Sequence, residues 1–374
     1  MKVVVAVDSF KGSISSSDAG NAVKNGILNA IKDADVSVFP IADGGEGTLE
    51  SLVDALGAKL HTVKTIDPSG KEIYATYGIA NNIAIIEISK CVGLTLIPKE
   101  QRNPMNATTY GIGDMIKDAI SKNCTEFIIC IGGSATNDCG IGMLQSIGFD
   151  ILDKNGMPVP YGAVGCGQAS YITDKNVPKE LKKCSFNILC DVKNPLLGKN
   201  GCTYVFSPQK GAKDEDLGKM DEYISNFSKV SNRYNANSDD SFPGSGAAGG
   251  LGFAFRTFLD AKLTPGIDYV LEKLELEKYI MDADVVVTGE GRIDSQTIYG
   301  KAPIGVAKLA KKYDKKVIAF CGCIGNNATI VNEHGIDGVF PIVTKPMSSE
   351  EAMNPETAKE NLEFTASQVF SIIG

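Results

Sequence analysis

The sequence predicts an α/β protein in which a discontinuous, doubly wound domain carries a second, inserted mixed α/β domain. At both ends of the 374-residue chain, apolar β-branched runs alternate with stretches of helical periodicity. The middle of the chain instead shows closely spaced strand patterns joined by turn residues. Alternation of strand and helix indicates a parallel sheet. Because neither end has enough strands for a sheet of its own, we expect the two ends to form one domain.

The first sixty residues begin that domain. Residues 3–7 (VVVAV) form a continuous apolar run, typical of a strand buried on both faces. Serines at 15–17 can cap a helix, and apolar residues recur at helical spacing from 22 to 31. A second strand is predicted over residues 36–40 and a second helix over residues 45–56.

The last ninety residues repeat this alternation. A strand is predicted over residues 284–288, a helix over 302–311 and a strand over 316–320. Another strand is predicted over residues 338–343, and a final helix near 361–373. These elements complete the parallel sheet that the N-terminal segment begins.

The middle of the chain follows a different pattern. Residues 60–89 predict a β-meander with tight turns at 67–70 (DPSG) and at 81–82 (NN). Residues 161–185 show no clear period and predict no particular element. Further elements are predicted as a helix near 108–120, strands at 127–131 and 186–190, and a helix from the glycine-rich stretch 244–250 toward residue 258. The predicted domains are therefore 1–66 with 283–374, and the insert 67–282.

Composition narrows the class of function. The net charge of −8 argues against a nucleic-acid or anionic-membrane partner, either of which needs a basic field. Ten cysteines without Cys-x-x-Cys spacing, no signal peptide and no spanning stretch predict a cytoplasmic protein. Two histidines make a histidine-rich metal site or a Ser-His-Asp triad improbable. No feature of the sequence indicates an oligomeric state.

Charged, glycine-rich clusters follow three predicted strands. They are residues 8–12 (DSFKG), 43–47 (DGGEG) and 289–294 (GEGRID), with Lys301 at the next helix. Ligands of open α/β sheets bind beyond the carboxyl ends of the strands, so we expect the clusters to converge on one edge. Each turn taken alone is equally well explained by a need for positive φ.

The side chains of these clusters suit a metal ion and phosphate. Carboxylate oxygens are ligands that Mg²⁺ prefers, and lysine and arginine suit phosphate. The candidate metal ligands are Asp43, Glu46, Glu290 and Asp294, and the candidate cations are Lys11, Arg292 and Lys301.

The predicted insert contains glycine-rich loops of its own. Residues 132–138 (GGSATND) lie between a strand and a helix, an arrangement that holds phosphates. No G-x-x-x-x-G-K-[ST] sequence is present, which excludes a standard P-loop kinase. The stretch 244–250 (GSGAAGG) either cradles phosphate or leads into a close-packed helix.

Two further segments each allow two interpretations. Asp191 follows a strand, where a carboxylate can accept a proton from an attacking hydroxyl, although Asp and Asn before proline also commonly form a turn. Arg102 and Asn103, with Thr108 and Thr109, either bind an anionic carboxylate or belong to a helix cap.

In this order and spacing, the clusters resemble the bacterial glycerate kinase family. The matching blocks are 8–12 (DSFKG), 42–48 (ADGGEGT), 131–138 (IGGSATND), 190–196 (CDVKNPL), 243–252 (PGSGAAGGLG) and 288–294 (TGEGRID). The resemblance implies a flavodoxin-like domain carrying an inserted mixed α/β domain, with the site in the cleft between them. It also implies ATP-dependent phosphorylation of D-glycerate, with 2-phosphoglycerate as the expected product.

These expectations assign a role to each candidate residue. Asp191 orients or deprotonates the attacking hydroxyl, assisted by the catalytic cations Lys11 and Arg292, and Mg²⁺ is held by one or two of the four carboxylates named above. The substrate-binding residues are Asp8, Ser9, Lys11, Arg102, Asn103 and Arg292. The ATP-binding residues are Gly132, Gly133, Ser134, Asn137, Asp138, Gly246, Gly249 and Lys301.

Two other classes of function compete with the kinase. A nicotinamide-dependent oxidoreductase predicts G-x-G-x-x-G after the first strand, where this chain has DSFKG. A non-catalytic protein that binds organic acids does not need so many carboxylates beside cations. A kinase for another small hydroxy acid is the nearest alternative.

Overall fold

The computed structural model describes residues 1–45 and 47–374, and the chain folds into two compact units. Unit 1 comprises residues 1–43, 50–57 and 265–374, and unit 2 comprises residues 44–49 and 58–264. The domain boundaries expected from the sequence, between residues 66 and 67 and between residues 282 and 283, stay a prediction.

The elements are numbered in chain order. The strands are β1 (Lys2–Val7), β2 (Asp35–Pro40), β3 (Lys59–Ile66), β4 (Glu72–Ala80), β5 (Ile83–Glu87), β6 (Glu126–Cys130), β7 (Asp150–Leu152), β8 (Tyr171–Thr173), β9 (Ser185–Leu189), β10 (Lys262–Thr264), β11 (Val285–Ile293), β12 (Lys316–Ile324) and β13 (Gly338–Pro341). The α-helices are α1 (Ser16–Ala30), α2 (Thr48–Leu56), α3 (Ser89–Val92), α4 (Tyr110–Ser121), α5 (Ile141–Ile147), α6 (Gly162–Gln168), α7 (Cys202–Phe206), α8 (Asp214–Tyr234), α9 (Ala247–Leu259), α10 (Gly266–Lys273), α11 (Leu276–Asp282), α12 (Ala302–Lys311), α13 (Ser349–Met353) and α14 (Pro355–Ile373).

Unit 1 contains a parallel sheet in the order β13-β12-β11-β1-β2. Counted by their own chain order, these strands run 5-4-3-1-2, which is the flavodoxin-like order 2-1-3-4-5. β1 lies at the centre, where Val5 pairs with Val38 on one side and with Val287 on the other. The α/β fold class is confirmed, and the sheet uses strands from both ends of the chain.

The helices α1 and α14 pack together in unit 1. Val23 and Ile27 of α1 and Leu362 and Phe370 of α14 belong to one buried core with β1. A side chain at Gly26 would clash with the carbonyl oxygen of Glu363, so glycine permits the close approach of the two helices. This packing covers one face of the sheet and fixes the strands whose ends carry the charged residues.

Two strands of unit 1 are longer than the sequence predicts. β11 continues to Ile293 rather than ending at residue 288, and β12 continues to Ile324. The glycines at 289 and 291 interrupt the apolar run, so pattern alone ends the strand early. Pairing of Arg292 with Cys323 extends the ladder across that interruption. Glu290 and Arg292 therefore lie in the strand and not in a following loop.

Unit 2 contains a mixed sheet in the order β10-β9-β6-β5-β4-β3. The strands β3, β4 and β5 form the predicted antiparallel meander, and β5, β6, β9 and β10 are parallel. A separate antiparallel pair, β7 and β8, together with α6 and a short 3₁₀ helix, accounts for much of the region around residues 161–185. The loop 131–140 connects β6 to α5, as the sequence predicts.

Within residues 1–45 and 47–374, every helix is too short or too polar to cross a bilayer.

Candidate active site

Unit 1 has a cavity of about 450 Å³ at the carboxyl ends of its central strands. Its charged lining residues are Asp8, Lys11, Glu290, Arg292 and Lys301. Its apolar lining residues include Ile342, Val343, Met347 and Met353. We call this the unit 1 cavity. It brings together two of the three predicted clusters and Lys301, as expected for the carboxyl edge of a parallel sheet.

Asp8 is a buried carboxylate at the end of β1. Only 2% of the residue is exposed, and Oδ1 accepts a hydrogen bond of 2.7 Å from the Ser9 N–H. Burial raises the pKa of Asp8 to about 7. The negative charges of Asp43 and Glu290 also raise this pKa, whereas the positive charge of Lys11 lowers it. The site therefore holds a carboxyl group that changes charge near neutral pH.

Glu290 and Lys301 form a partly buried ion pair. Glu290 Oε2 lies 3.0 Å from Lys301 Nζ, and Oε1 accepts a hydrogen bond of 2.6 Å from the Thr297 hydroxyl. Burial raises the pKa of Glu290, whereas Thr297 and Lys301 oppose that change. Both oxygens thus have partners within unit 1. Thr297 was not identified from the sequence, because nothing distinguishes its hydroxyl from that of an ordinary loop threonine.

Arg292 is held by Asp294, two residues further along the chain. Arg292 Nε lies 3.0 Å from Asp294 Oδ2, and Asp294 Oδ1 accepts from the Gln296 N–H at 2.8 Å. The Arg292 side chain remains 61% exposed and lines the unit 1 cavity. These contacts orient the guanidinium, and they occupy the Asp294 carboxylate that the sequence suggested as a metal ligand.

The carboxylates of unit 1 have the donor chemistry that Mg²⁺ requires. Asp43 and Glu290 both act electrostatically on the buried Asp8. Leaving Glu46 aside, no three Asp, Glu, His or Cys side chains are grouped as a metal-binding cluster. Mg²⁺ in phosphoryl-transfer sites commonly uses one or two carboxylates plus phosphate oxygens, so this arrangement fits the ion. Glu46, the fourth predicted ligand, lies outside the described residues.

In unit 2, a buried lysine holds the glycine-rich loop 132–138. Lys210 Nζ donates to Ser134 Oγ at 2.9 Å and to the Thr136 carbonyl at 2.7 Å. Burial lowers the pKa of Lys210 to about 8. No sequence pattern points to Lys210, which stands alone as a cation in the segment SPQKGA. The predicted phosphate loop is therefore hydrogen-bonded to a buried lysine that the sequence does not indicate.

Asp138 closes the same loop from inside the fold. It is fully buried, and Oδ2 accepts from the Thr109 N–H at 2.9 Å and from the Thr109 hydroxyl at 2.8 Å. The N–H groups of Gly140 and Gly142 donate to the same carboxylate. Its contacts are internal, and assignment of Asp138 to ATP stays a prediction. Thr109 is the N-cap residue of α4, but its side chain makes no capping hydrogen bond, and its hydroxyl oxygen instead accepts from the Met143 N–H at 3.0 Å.

The glycines of 244–250 allow backbone segments to approach closely. A side chain at Gly246 would clash with the Pro195 carbonyl oxygen, and one at Gly249 with that of Thr136. Gly249 has a φ of 71°, and α9 has left-handed residues at its beginning. The structure thus supports the close-packing interpretation of this stretch, and contact of Gly246 and Gly249 with a nucleotide stays a prediction.

Asp191 is an exposed residue two positions after the end of β9 in unit 2. The segment folds back on itself: Cys190 Sγ contacts the Val192 carbonyl at 3.3 Å, and Asn194 Nδ2 donates to Asn200 O at 2.8 Å. The Asn194 carbonyl in turn accepts from the Gly246 N–H at 3.0 Å. Asp191 itself is exposed, and both its role as a base and the alternative of a turn at this segment stay predictions.

The polar groups of Arg102 and Asn103 have backbone partners. The Arg102 guanidinium donates to the carbonyls of Ile97 at 3.2 Å and Leu94 at 3.0 Å. Asn103 Oδ1 accepts from the Met105 N–H at 3.1 Å. These contacts stabilise the segment between α3 and α4. Binding of a substrate carboxylate by Arg102 and Asn103 stays a prediction, and their backbone contacts do not favour it.

A family model described as the glycerate kinase family matches residues 3–374. The chain belongs to the glycerate kinase family. It is 43% identical to a glycerate kinase from Halalkalibacterium halodurans, covering 94% of this chain and 93% of the relative. It is 41% identical to a glycerate 2-kinase from Escherichia coli K12, over 94% of this chain and 93% of the relative.

A crystal structure of a family member has the same fold. It is that of a protein from Salmonella typhimurium LT2 described as a glycerate kinase 2, with a TM-score of 0.91 and 39% sequence identity. The match covers 100% of this chain and 98% of the other. Membership of the glycerate kinase family confirms the family resemblance found in the motifs and the fold class. It also makes this chain an enzyme, a phosphotransferase with an alcohol group as acceptor.

Proposed function

We propose that this member of the glycerate kinase family transfers the γ-phosphoryl group of ATP to a hydroxyl of D-glycerate. The observation that carries the proposal is the family match over nearly the whole chain, together with Lys11 and Arg292 on the wall of the unit 1 cavity. A small hydroxy acid needs a cationic partner for its carboxylate, and Lys11 and Arg292 are the partners that we assign to it.

In this proposal, unit 1 binds the substrate. Lys11 and Arg292 neutralise the glycerate carboxylate, and Asp294 fixes the orientation of the arginine through the 3.0 Å contact. Asp8 and Ser9 line the same cavity, and we assign them hydrogen bonds with the substrate hydroxyls. The result is a fixed position for the hydroxyl that attacks, and positioning is a main source of rate in phosphoryl transfer.

Unit 2 supplies the groups assigned to the nucleotide and to the attacking hydroxyl. The loop 132–138, Gly246 and Gly249 are assigned to the phosphates of ATP, and Lys301 of unit 1 is also assigned to ATP. Asp191 orients the attacking hydroxyl and accepts its proton. Asp8, with a pKa of about 7, is the alternative proton acceptor, since a base is most effective near its own pKa.

Mg²⁺ fits the carboxylates of unit 1, with Asp43, Glu290 and Asp294 as the candidates among the described residues. A bound Mg²⁺ neutralises charge on the transferred phosphoryl group. The remaining chemistry belongs to the chain's own residues, which orient the acid, accept its proton and exclude water.

The site of phosphorylation is proposed to be the 2-hydroxyl. The Escherichia coli K12 relative is named glycerate 2-kinase and is 41% identical, which supports this choice. The ten cysteines are all thiols, six of them buried within unit 2, and we propose a reducing, cytoplasmic location.

A coupled assay of ADP release tests the substrate and the base together. We expect ADP release with ATP, Mg²⁺ and D-glycerate, and little with L-glycerate, lactate or tartrate. Phosphorus NMR then distinguishes 2-phosphoglycerate from 3-phosphoglycerate as the product.

Asp191→Asn should lower kcat by about 100-fold or more, whereas Asp8→Asn should chiefly alter the pH profile. Full turnover by Asp191→Asn would contradict Asp191 as the base and favour Asp8. A faster reaction with another hydroxy acid than with D-glycerate would contradict the proposed substrate.

A further inference from the structure

Part of the lining of the unit 1 cavity is apolar and has no role in the proposed function. It consists of Ile342 and Val343, directly after β13, together with Met347 and Met353. We call these four residues the apolar wall. Val343 is 40% exposed and Met353 is 46% exposed, so a ligand can reach their side chains. Exposed apolar surface that lines a cavity commonly marks a binding site.

The apolar wall and the charged residues of the cavity follow different strands of the sheet. Asp8 follows β1, and Glu290 and Arg292 lie in β11, whereas the wall begins after β13. β12 separates β11 from β13. Because neighbouring strands are spaced by roughly 4.8 Å, the ends of β11 and β13 lie about 10 Å apart. The cavity therefore extends along the edge of the sheet from charged residues to apolar ones.

Glycerate does not account for the apolar wall. Every carbon of this three-carbon acid carries oxygen, so the acid has no apolar group to bury. Pockets of about 300–1,000 Å³, a range that includes this cavity, enclose much larger ligands. ATP is the other organic ligand of the proposed reaction, and its ribose and triphosphate are polar. The adenine ring is the group of the two ligands that offers a flat, largely apolar surface.

We propose that the apolar wall of unit 1 binds the adenine ring of ATP. The identity of the nucleotide rests on the proposed function, which already assigns Lys301 of unit 1 to ATP. Methionine suits this role, because its thioether makes favourable contacts with aromatic rings and its unbranched chain adapts to their shape. Met347 and Met353 are then the residues that contribute most to affinity for the base.

Contacts within unit 1 hold the apolar wall in place without a ligand. Asn361 Oδ1 accepts a hydrogen bond of 2.9 Å from the Thr344 hydroxyl, and Asn361 Nδ2 lies 4.0 Å from Met347 Sδ. The terminal methyl group of Met353 lies against Gly12, since a Cβ added to that glycine would be 2.8 Å from it. A wall that is ordered in advance loses little conformational entropy when the ring binds.

Methyl NMR of the full-length protein, isotopically labelled at its methionine methyl groups, tests the proposal without turnover. ATP added without glycerate should shift the methyl signals of Met347 and Met353, because the ring current of adenine acts on nearby protons. Adenosine should shift the same signals, whereas inorganic triphosphate, which has no ring, should leave them in place. Met281, an exposed methionine on α11 that does not line the cavity, is the internal control.

The variants Met347→Leu and Met353→Leu assign the two signals. If both signals stay in place at saturating ATP, the proposal is overturned. Shifts caused by glycerate and not by ATP would also overturn it, because the wall would then belong to the acid.

Kinetics separates binding of the base from binding of the acid. Met347→Ala and Met353→Ala should each raise the KM for ATP by about threefold or more. The KM for D-glycerate should be unchanged in both, and Met281→Ala should behave as the wild type. An unchanged KM for ATP in the double variant of Met347→Ala and Met353→Ala, or an equal rise in both KM values, would exclude the assignment.

The outcomes also keep this inference distinct from the proposed function. If ATP and adenosine shift the two methyl signals but D-glycerate is not phosphorylated, only the proposed function fails. If D-glycerate is phosphorylated while ATP leaves the two methyl signals unchanged, only the adenine site fails.

Discussion

The charged residues of the unit 1 cavity are held by short contacts between neighbours in the sequence. Arg292 is paired with Asp294, and Glu290 is paired with Lys301 and Thr297. Their residue types were predictable from the sequence, because carboxylates and cations follow each strand. Their pairing was not, since it depends on the extension of β11 past two glycines. Lys210 could not be predicted at all, because a buried lysine has no sequence pattern.

The first prediction concerns the buried carboxyl of Asp8. Its folded-state pKa of about 7 lies above the ordinary value of 3.8, so the folded state holds this proton more tightly than the unfolded state. The contribution of Asp8 to stability therefore falls as the pH rises from about 4 to 7 and is constant above that. Asp8→Asn should remove this penalty and stabilise the protein at pH 8 by at most about 4 kcal/mol, with no gain near pH 4.

Urea denaturation at pH 4.5 and pH 8, with a chelator present to exclude bound Mg²⁺, measures the difference. Ser9→Ala, which alters the neighbouring position without changing charge, serves as the control. A variant Asp8→Asn that is less stable than the wild type at pH 8 would contradict the pKa argument.

The second prediction concerns the ion pair of Lys301 and Glu290. Lys301→Met removes the cation and leaves a carboxylate that is 9% exposed without that partner. Because the lysine is one-third exposed, solvent screens the pair, and we expect a loss of roughly 1–2 kcal/mol. Adding Glu290→Gln should recover part of that loss. Thermal denaturation of the two single variants and the double variant gives the coupling energy, and additive effects would show that the pair is not coupled.

At the scale of elements, most strands and helices were predictable because their apolar periodicity is strong. α12 was predicted at residues 302–311 and is found there, and the meander of β3, β4 and β5 follows its turn residues. The prediction was wrong at the end of β11, where glycine breaks the pattern but pairing with β12 continues. The glycine-rich start of α9 had two interpretations, and contacts of backbone atoms, which a sequence does not show, distinguish them.

The third prediction concerns that start of α9. Gly249→Ala adds a Cβ at a positive φ and drives it into the Thr136 carbonyl, so both the backbone and the loop 132–138 must shift. Gly198→Ala is the matched control, since its φ is 80° and nothing lies within 4 Å of the added Cβ. The control should lose about 1 kcal/mol of stability, and Gly249→Ala about 2 kcal/mol more. The KM for ATP should rise in Gly249→Ala alone, and equal effects in both variants would contradict the packing argument.

At the scale of the whole molecule, the order of elements along the chain predicted the class of fold. The flavodoxin-like order of unit 1 needs strands from both ends of the sequence, and the structure pairs β1 with β11 as that requires. The motif blocks lie between residues 8 and 294, and the family model matches residues 3–374. Roles of individual residues are less predictable, because loops with the same composition serve both as ligand contacts and as close-packed turns.

The central claim is that the unit 1 cavity binds glycerate for phosphorylation by ATP. The most direct test is the initial rate of ADP release as a function of D-glycerate concentration for the wild type and for Lys11→Met. We predict saturable, glycerate-dependent release by the wild type, and a KM for glycerate that rises by about tenfold or more in Lys11→Met while the KM for ATP is unchanged. The absence of glycerate-dependent release, or an unaltered KM for glycerate in Lys11→Met, would contradict the account.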